Sequence, residues 1–482
     1  DRHLETSGGH VAKARLQYLT DTDRQFIHEQ TLRVLSEVGV AYNTPTLTNL
    51  LIDAGATVDP ETLTARLPWE LIERCLALVP RTVLLAGRDP AYDCRVGEDG
   101  MIYTSDGAAT YMLDDLTGER HEGTQDDLAQ MMCLYDAVPE IDFTWATITP
   151  GDVDPRAGNL EMARIAFEHS RKHLQDEVRV PRQAPVFIDM LEAIAGASLA
   201  KRPIYSVTNC TIAPLQHDRE MTEAHILMAR AGCPVFVLPM PQMGTTGPMS
   251  VLGTSILNMA ELLSAVVLFE LAAPGCALVS AVGSAVAEMR SGLYLSGTPE
   301  DALINLTCIE MSHFYGLHAQ GSAVSCDAKA CDLQAGAEGM LTGLASALAG
   351  CEVMLAFGLL DSAQTASLAK TVLDADTVNA IERFVRDDPV DEARALVDDI
   401  IAVGIGGHFL SRKSTRTFYR AGELWQPHLW HRGPFDQYVG TPLVKGAWER
   451  AHELIAGNDV PPLPDDVDRH VKQVIADYLQ SQ

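Results

Sequence analysis

The stretch PVFVLPMPQMGTTGPMSVLGTSILNMAELLSAVVLFELAAPGCALVSAV, residues 234–282, decides the fold. PVFVLPM (234–240) is rich in branched and aromatic residues and reads as a buried strand. MGTTGP (243–248) turns the chain, with Pro248 suited to a first helical turn. A long apolar helix follows over 249–272, Pro274-Gly275 ends it, and a second apolar strand, ALVSAV (277–282), returns. Strand, helix and strand of this size make a parallel βαβ unit.

The alternation continues on both sides. Strand candidates lie at FTWATIT (143–149), HLQDEV (173–178), IYSVTNCTI (204–212), LHAQGSAV (317–324), VMLAFGL (353–359) and, weakest, TVLD (371–374). Helical stretches such as MTEAHILMARAG and PEDALINLTCIEMSHFYG separate them. Eight β-α units over about 250 residues predict an α/β fold, a closed (β/α)8 TIM barrel with helical N-terminal and C-terminal extensions. A doubly wound open sheet is the alternative, but no G-x-G-x-x-G follows any strand. The expected division is a helical and mixed extension over 1–135, a catalytic barrel over 136–400, and a helical extension over 401–482 packed on the barrel.

In the first part, Thr20-x-x-Asp23 forms a capping box before a helix with Ile27, Val34, Leu35 and Val38 on one face. Thr44-Pro45 starts a second helix and Pro68 a third. Residues 82–113, which include MIYTSDGAATYML, show strand-like alternation.

The formal charge is −29, from 65 acidic and 36 basic residues. That balance argues against nucleic acid, whose binding needs basic patches. It suits a cationic substrate, because acid-lined clefts concentrate cations; a solubilising acidic surface explains much of it equally well. The longest apolar run, Ile256–Leu271, is interrupted by Asn258, Glu261 and Glu270, so no membrane span is expected. No charged, apolar and small-residue leader opens the chain, and it starts at Asp1 as a trimmed chain would. The ten cysteines are scattered without C-x-x-C, as reduced, mostly buried thiols of a cytoplasmic protein are. A homo-oligomer is compatible with this composition, which does not decide it.

Barrel enzymes carry function on the loops after the strands. Gly244, Thr245, Thr246 and Gly247 precede the 249–272 helix, whose N-terminus offers N–H groups to an anion; a capped tight turn is the plain reading of the same residues. After the strand at 317–324, Asp327, Asp332 and Glu338 are candidates to hold a cation, and Lys329 to pair with them or meet a carboxylate. An ordinary set of helix-start ion pairs would look alike. Arg290, beside Glu288, could bind a carboxylate bidentately or serve a salt bridge. His408 and Phe409 follow a glycine run at 404–407. Serine-hydrolase, P-loop and H-E-x-x-H signatures are absent, as are zinc-spaced Cys/His clusters and the D-x-H-x-x-G segment of corrinoid-binding modules.

Seven segments, taken in order, resemble the trimethylamine methyltransferase family of corrinoid-dependent enzymes. They are LTDTDRQFIHEQTLRVLSEVGV, LDDLTGERHEGTQDDLAQMMCLYDAVPEID, MGTTGP, AEMRSG, SCDAKACDLQAGAE, GGHFLSRKSTRTFYR and PPLPDD, spread from about residue 19 to 466. The resemblance implies a (β/α)8 barrel that passes a methyl group to Co(I) of a cognate corrinoid protein, so that cobalamin arrives on a partner and none is tightly bound. Its trimethylamine branch carries pyrrolysine, whereas this chain has only the twenty standard residues. It therefore resembles the non-pyrrolysine branch, which implies a small quaternary amine as substrate, glycine betaine or a similar betaine first. Aromatic faces suit such a cation, and Tyr103, Tyr205, Phe357, Phe409 and Trp425 are candidates by their places at strand ends or loops. The alternatives are a barrel that binds a betaine without transferring its methyl group, and a lyase or aldolase using Lys329 as a Schiff base.

Overall fold

The computed structural model describes residues 10–12, 14–107, 109–437 and 442–482; the first nine residues of the expected N-terminal extension lie outside the described residues. Eight short strands form the centre: β1 (Ile102–Ser105), β2 (Thr144–Trp145), β3 (Leu174–Asp176), β4 (Tyr205–Ile212), β5 (Val235–Leu238), β6 (Leu278–Ala281), β7 (Ala319–Ser322) and β8 (Val353–Phe357). From β2 to β8 each pairs in parallel with the next. β8 pairs with β1 through Val353↔Ile102 and Met354↔Tyr103. The bridge Thr104↔Phe143 joins β1 to β2 and closes the (β/α)8 barrel.

Ahead of the barrel come α1 (Asp21–Glu37), α2 (Pro45–Asp53) and α3 (Trp69–Leu76). The Thr20–Asp23 capping box starts α1, and Pro45 occupies the first turn of α2. One helix follows each barrel strand: α4 (Gln125–Ala137), α5 (Gly158–His169), α6 (Ala184–Ala195), α7 (Arg219–Ala231), α8 (Val251–Ala272), α9 (Pro299–Phe314), α10 (Leu333–Ala349) and α11 (Leu368–Val385).

Two expectations need correction. TVLD (371–374) lies within α11, and the strand that completes the barrel is β1, so the barrel begins at Ile102 rather than after residue 135. An apolar run of four cannot by itself separate a strand from a turn of buried helix. Here Lys370 and Asp374 form an i,i+4 ion pair inside α11. The second correction concerns α8, whose 22 residues are long and apolar enough to cross a membrane. The polar residues expected to interrupt it are absorbed by partners. The Glu261 carboxylate accepts from Thr211 and from the Leu215 N–H at 2.8 Å, Asn258 donates to Ser284 at 2.7 Å, and Glu270 accepts from the Gly275 N–H at 2.7 Å. Because α1, α2 and α3 pack on it, 78% of its most apolar window is buried within the protein.

The strands alternate as period-two geometry requires. Outward residues such as Tyr103, Leu174, Tyr205 and Met354 join the layer between strands and helices. Inward residues sort by height. Ile102, Phe143, Phe236, Val279 and Val353 make an apolar plug with Val83, Leu85, Cys94 and Val96 of the 83–85/94–96 hairpin, which closes the N-terminal end. Above it lies a polar layer, in which His173 bonds Ser206 at 2.8 Å and Gln175 donates to Thr208 at 2.8 Å. Open space is left inside the barrel towards the C-terminal ends of the strands. Beyond α11, α12 (Leu443–Gly457) packs on α11 and α4, and α13 (Asp465–Gln480) packs on α6.

Candidate active site

A cavity of ≈ 770 Å³ fills the C-terminal mouth of the barrel, lined by residues at or just after all eight strands. Another hollow, of ≈ 590 Å³, lies at the opposite end beside Asp136, Arg171 and Lys172. Its charges are already satisfied: Arg171 pairs with Asp136 at 2.6 Å and Lys172 donates to the Val138 carbonyl at 2.8 Å. The mouth therefore holds the open chemistry.

Six carboxylates line it, those of Asp106, Glu177, Glu288, Asp301, Asp327 and Asp361, against one cationic side chain, Lys329. Burial raises the Asp106 carboxyl from 3.8 to about 6, although the Gly107 N–H, which it accepts at 2.8 Å, opposes the shift. Burial likewise raises Asp301 to about 7, against hydrogen bonds from the Gly297 N–H at 2.8 Å and the Asn305 amide at 2.9 Å. Glu288 moves the other way, held low by the Ser291 N–H and hydroxyl and the Arg290 N–H. The site thus holds two carboxyls raised by burial, Asp106 and Asp301, beside one held low by hydrogen bonds, Glu288.

Two aromatic side chains complete the lining. Trp145, at the end of β2, is buried, and its Nε1–H has no partner among the described residues. Gly107 is required beside it, since a Cβ there would lie 2.5 Å from the indole Cε3. Tyr294 donates its hydroxyl to the Gly283 carbonyl at 3.0 Å, which fixes the ring at the cavity wall.

The loops after β6, β7 and β8 are stitched together. Ser362 donates to Asp327 at 2.8 Å and accepts from the Ser296 N–H at 3.0 Å, while the Asp361 and Ser362 N–H groups bond the carbonyls of Ala328 and Cys326. Lys329 Nζ meets Asp327 and Asp361, each at 2.7 Å, and Arg120 takes the other Asp361 oxygen at 2.8 Å. Among the described residues, eight other than glycine have positive φ, and four of them line this cavity: Ala356, Asp361, Ser362 and Ala363. Strain concentrated at one mouth marks a site that the surrounding structure holds in shape.

Of the residues singled out from sequence, Asp327 and Lys329 reach the lining. Glu338 stands behind them, its carboxylate accepting the N–H groups of Asp327 at 2.8 Å and Ala328 at 3.2 Å. Asp332 caps α10, accepting from the Gln334 and Ala335 N–H groups. The Gly244–Gly247 segment is an exposed turn outside the lining, and its N–H groups at Gly244, Thr245 and Gly247 bond carbonyls within the turn. Ser250, not Thr245 or Thr246, caps α8. Arg290 is exposed at the loop tip, and what Glu288 accepts is its backbone N–H. Tyr103, Tyr205 and Phe357 are buried towards the helices. His408, Phe409 and Trp425 lie in the segment after α11, apart from the mouth; Arg432 already covers Trp425.

Asp106, Trp145, Glu177, Tyr294 and Asp301 were not anticipated. Asp106, Trp145 and Glu177 share one readable signal, the inward parity at the C-terminal end of a strand. Among the described residues, no group of three or more His, Cys, Asp or Glu side chains is placed to hold a metal. No histidine is in the cavity lining.

The model of Trimethylamine methyltransferase (MTTB) matches residues 6–481. The trimethylamine methyltransferase MttB of Desulfitobacterium hafniense (strain DSM 10664 / DCB-2) is 27% identical over 461 residues, covering 95% of this chain and 92% of that protein. A protein of Desulfitobacterium hafniense (strain Y51) named glycine betaine methyltransferase is also 27% identical, over 466 residues, covering 95% of this chain and 96% of its own length. In fold, the chain is similar to the Methanosarcina barkeri monomethylamine methyltransferase MtmB, with a TM-score of 0.53 at 12% identity over 92% of this chain and 89% of that one.

Proposed function

This chain belongs to the trimethylamine methyltransferase family, and from that premise we propose that it takes a methyl group from a quaternary amine and delivers it to Co(I) of a corrinoid carried by a separate protein. The observation that carries the proposal is the mouth cavity, with six carboxylates, Trp145 and Tyr294 around it and its one lysine already committed to Asp327 and Asp361. A permanent cation gains there from charge and from aromatic faces, the latter worth roughly 0.5–2 kcal/mol each once desolvated.

The chemistry agrees with this lining. A quaternary nitrogen keeps the C–N electron pair and leaves as a neutral tertiary amine, so the protein needs no general acid. Its tasks are to hold one N–CH3 bond pointing out of the mouth and to keep water from the others. Asp106, Glu177 and Asp301 hold the nitrogen, Trp145 and Tyr294 wall the remaining methyl groups, and the stitched 325–329 and 359–364 loops fix the rim. A corrinoid suits the site as a visitor, because the mouth is open to the surface; when docked it would supply the nucleophile that accepts the methyl carbon. We place the protein in the cytoplasm, where its ten free cysteines stay reduced.

The relative named glycine betaine methyltransferase favours a betaine. A betaine would set its carboxylate against Lys329, the one cationic side chain in the lining among the described residues. The Schiff-base reading of that lysine is disfavoured. Burial lowers its pKa, but its bonds to Asp327 and Asp361 outweigh that and leave it raised and protonated. Calorimetric titration with quaternary amines and with their tertiary demethylation products tests the proposal: the quaternary forms bind, and absence of any binding counts against it.

A further inference from the structure

We infer, resting on the quaternary-amine reading of the mouth, that Asn305 of α9 is a positioning residue: it ties the Asp301 carboxylate to the end of β7 and so aims that charge at the substrate's ammonium. Asp301 and Asn305 stand at i and i+4, one helical turn apart on the same face of α9. Both are buried. Asp301 lines the cavity and Asn305 does not, so the amide stands behind the carboxylate.

The two ends of that amide have fixed duties. Asn305 Nδ2 donates to Asp301 Oδ1 at 2.9 Å and to the Asp301 carbonyl at 3.1 Å, while Asn305 Oδ1 accepts the Ser322 N–H at 3.2 Å. An ionised carboxylate only accepts and a backbone N–H only donates, so the amide cannot turn round without breaking both contacts. Ser322 ends β7 and lines the same cavity. One side chain therefore couples the helix that carries Asp301 to a strand of the barrel wall. Gly321 leaves room for it: a Cβ there would lie 3.3 Å from Asn305 Oδ1 and 2.9 Å from Ile309 Cδ1.

An ordinary helix start would not need this link, because Thr298 already caps α9 by accepting the Asp301 N–H at 3.1 Å. The second carboxylate oxygen, Oδ2, accepts the Gly297 N–H at 2.8 Å, so the group is held from two sides. Burial raises the Asp301 carboxyl to about 7, and the Gly297 N–H and the Asn305 amide are what oppose the rise. The ionisable groups around it add no cation. Burial first, and then the charges of Asp301 and Asp106, raise the Tyr294 phenol well above its usual range, so it stays protonated beside them. Glu338 of α10 packs against Gly297. Asn305 is thus the side chain that favours the ionised form of Asp301 and sets its direction.

Calorimetric titration of the full chain with choline and with glycine betaine, repeated across neutral and alkaline pH, tests the link. Asn305→Ala keeps the carboxyl but removes its donor, so the rise in affinity that belongs to Asp301 should move up by about one pH unit, the size of one lost charge-assisted hydrogen bond. On an Asp301→Asn background the same substitution should change affinity by less than about twofold at any pH. Asn305→Asp has the same shape and still accepts the Ser322 N–H; it carries the test should Asn305→Ala misfold, and moves the rise further because it adds a like charge. NMR of isotope-labelled aspartate carboxyls, with Asp301 assigned by its loss in Asp301→Asn, reads the same midpoint without ligand. An unmoved midpoint in the folded variants, or an affinity loss equal at every pH, overturns the inference. If the wild type binds no quaternary amine, the proposed function fails and the aiming of Asp301 at a cation fails with it; a carboxyl midpoint that still moves then shows that the function, and not the link to Asn305, was at fault.

Discussion

Replacing Asp106 by Asn isolates the electrostatic role of the mouth. The substitution keeps the shape and the hydrogen bond accepted from the Gly107 N–H, and removes only the ability to ionise. In the folded protein burial lifts this carboxyl from 3.8 to about 6. About two pKa units correspond to about 3 kcal/mol, an upper bound because the side chain lines the mouth cavity. A raised folded pKa favours the protonated form, so the wild type is relatively stable below pH 4 and loses that advantage as the pH climbs through 6. At pH 8 the variant should therefore unfold at higher temperature and higher denaturant than the wild type, and at pH 3.5 the two should coincide. Ligand binding moves in the opposite sense. A unit charge about 5 Å from the ammonium, at an effective dielectric constant of about 20, contributes about 3 kcal/mol, so affinity for a quaternary amine should fall on the order of 100-fold above pH 7. Wild-type affinity should rise from pH 5 to 8. The variant should lose the rise near 6 and keep the one near 7 that belongs to Asp301. Denaturant melts and calorimetric titrations across this range decide the matter. Wild-type affinity with a wild-type pH profile in the variant would refute the assignment of Asp106 to the cation.

Lys329→Met should weaken a betaine more than tenfold and strengthen choline, which lacks the carboxylate, since Asp327 and Asp361 lose their cation; equal effects on both ligands, read by calorimetry, would exclude Lys329 as the carboxylate partner. Thr245→Val should leave both affinities within about twofold and stability within about 0.5 kcal/mol, because the turn is exposed and internally bonded; a large loss confined to betaines would restore the helix N-terminus as an anion site. Lys370→Met should cost about 3–5 kcal/mol in a denaturant melt, by leaving the fully buried Asp374 without its cation. A melt unchanged from wild type would show that the pair adds nothing.

The (β/α)8 pattern was legible because seven of the eight strands are short segments set between helices of ordinary length, and 234–282 alone contains two strands and the helix between them. β1 was hidden. Its four residues, Ile102–Ser105, follow a hairpin and small strands rather than a helix, so the βα rhythm starts only after it. With that strand assigned to the extension, Asp106 could not be placed at the mouth, and TVLD filled the eighth position. The loop signal at Gly244–Gly247 misled for another reason: glycine and threonine before a helix describe a satisfied turn as well as an anion site, and only the hydrogen bonds distinguish them. Aromatic candidates failed on parity. Tyr103, Tyr205 and Phe357 occupy outward positions, whereas Trp145 sits on the inward one. Asp327 and Lys329 were legible because polar residues there interrupt an apolar pattern directly after a strand.

The account rests on methyl transfer from a quaternary amine. The most direct measurement mixes the purified chain with free cob(I)alamin and follows the optical change to methylcobalamin across a panel of glycine betaine, other betaines, choline and trimethylamine. Enzyme-dependent methylcobalamin is expected with at least one quaternary amine and not with trimethylamine. No methylation from any quaternary amine that binds, or comparable turnover of trimethylamine, would contradict it.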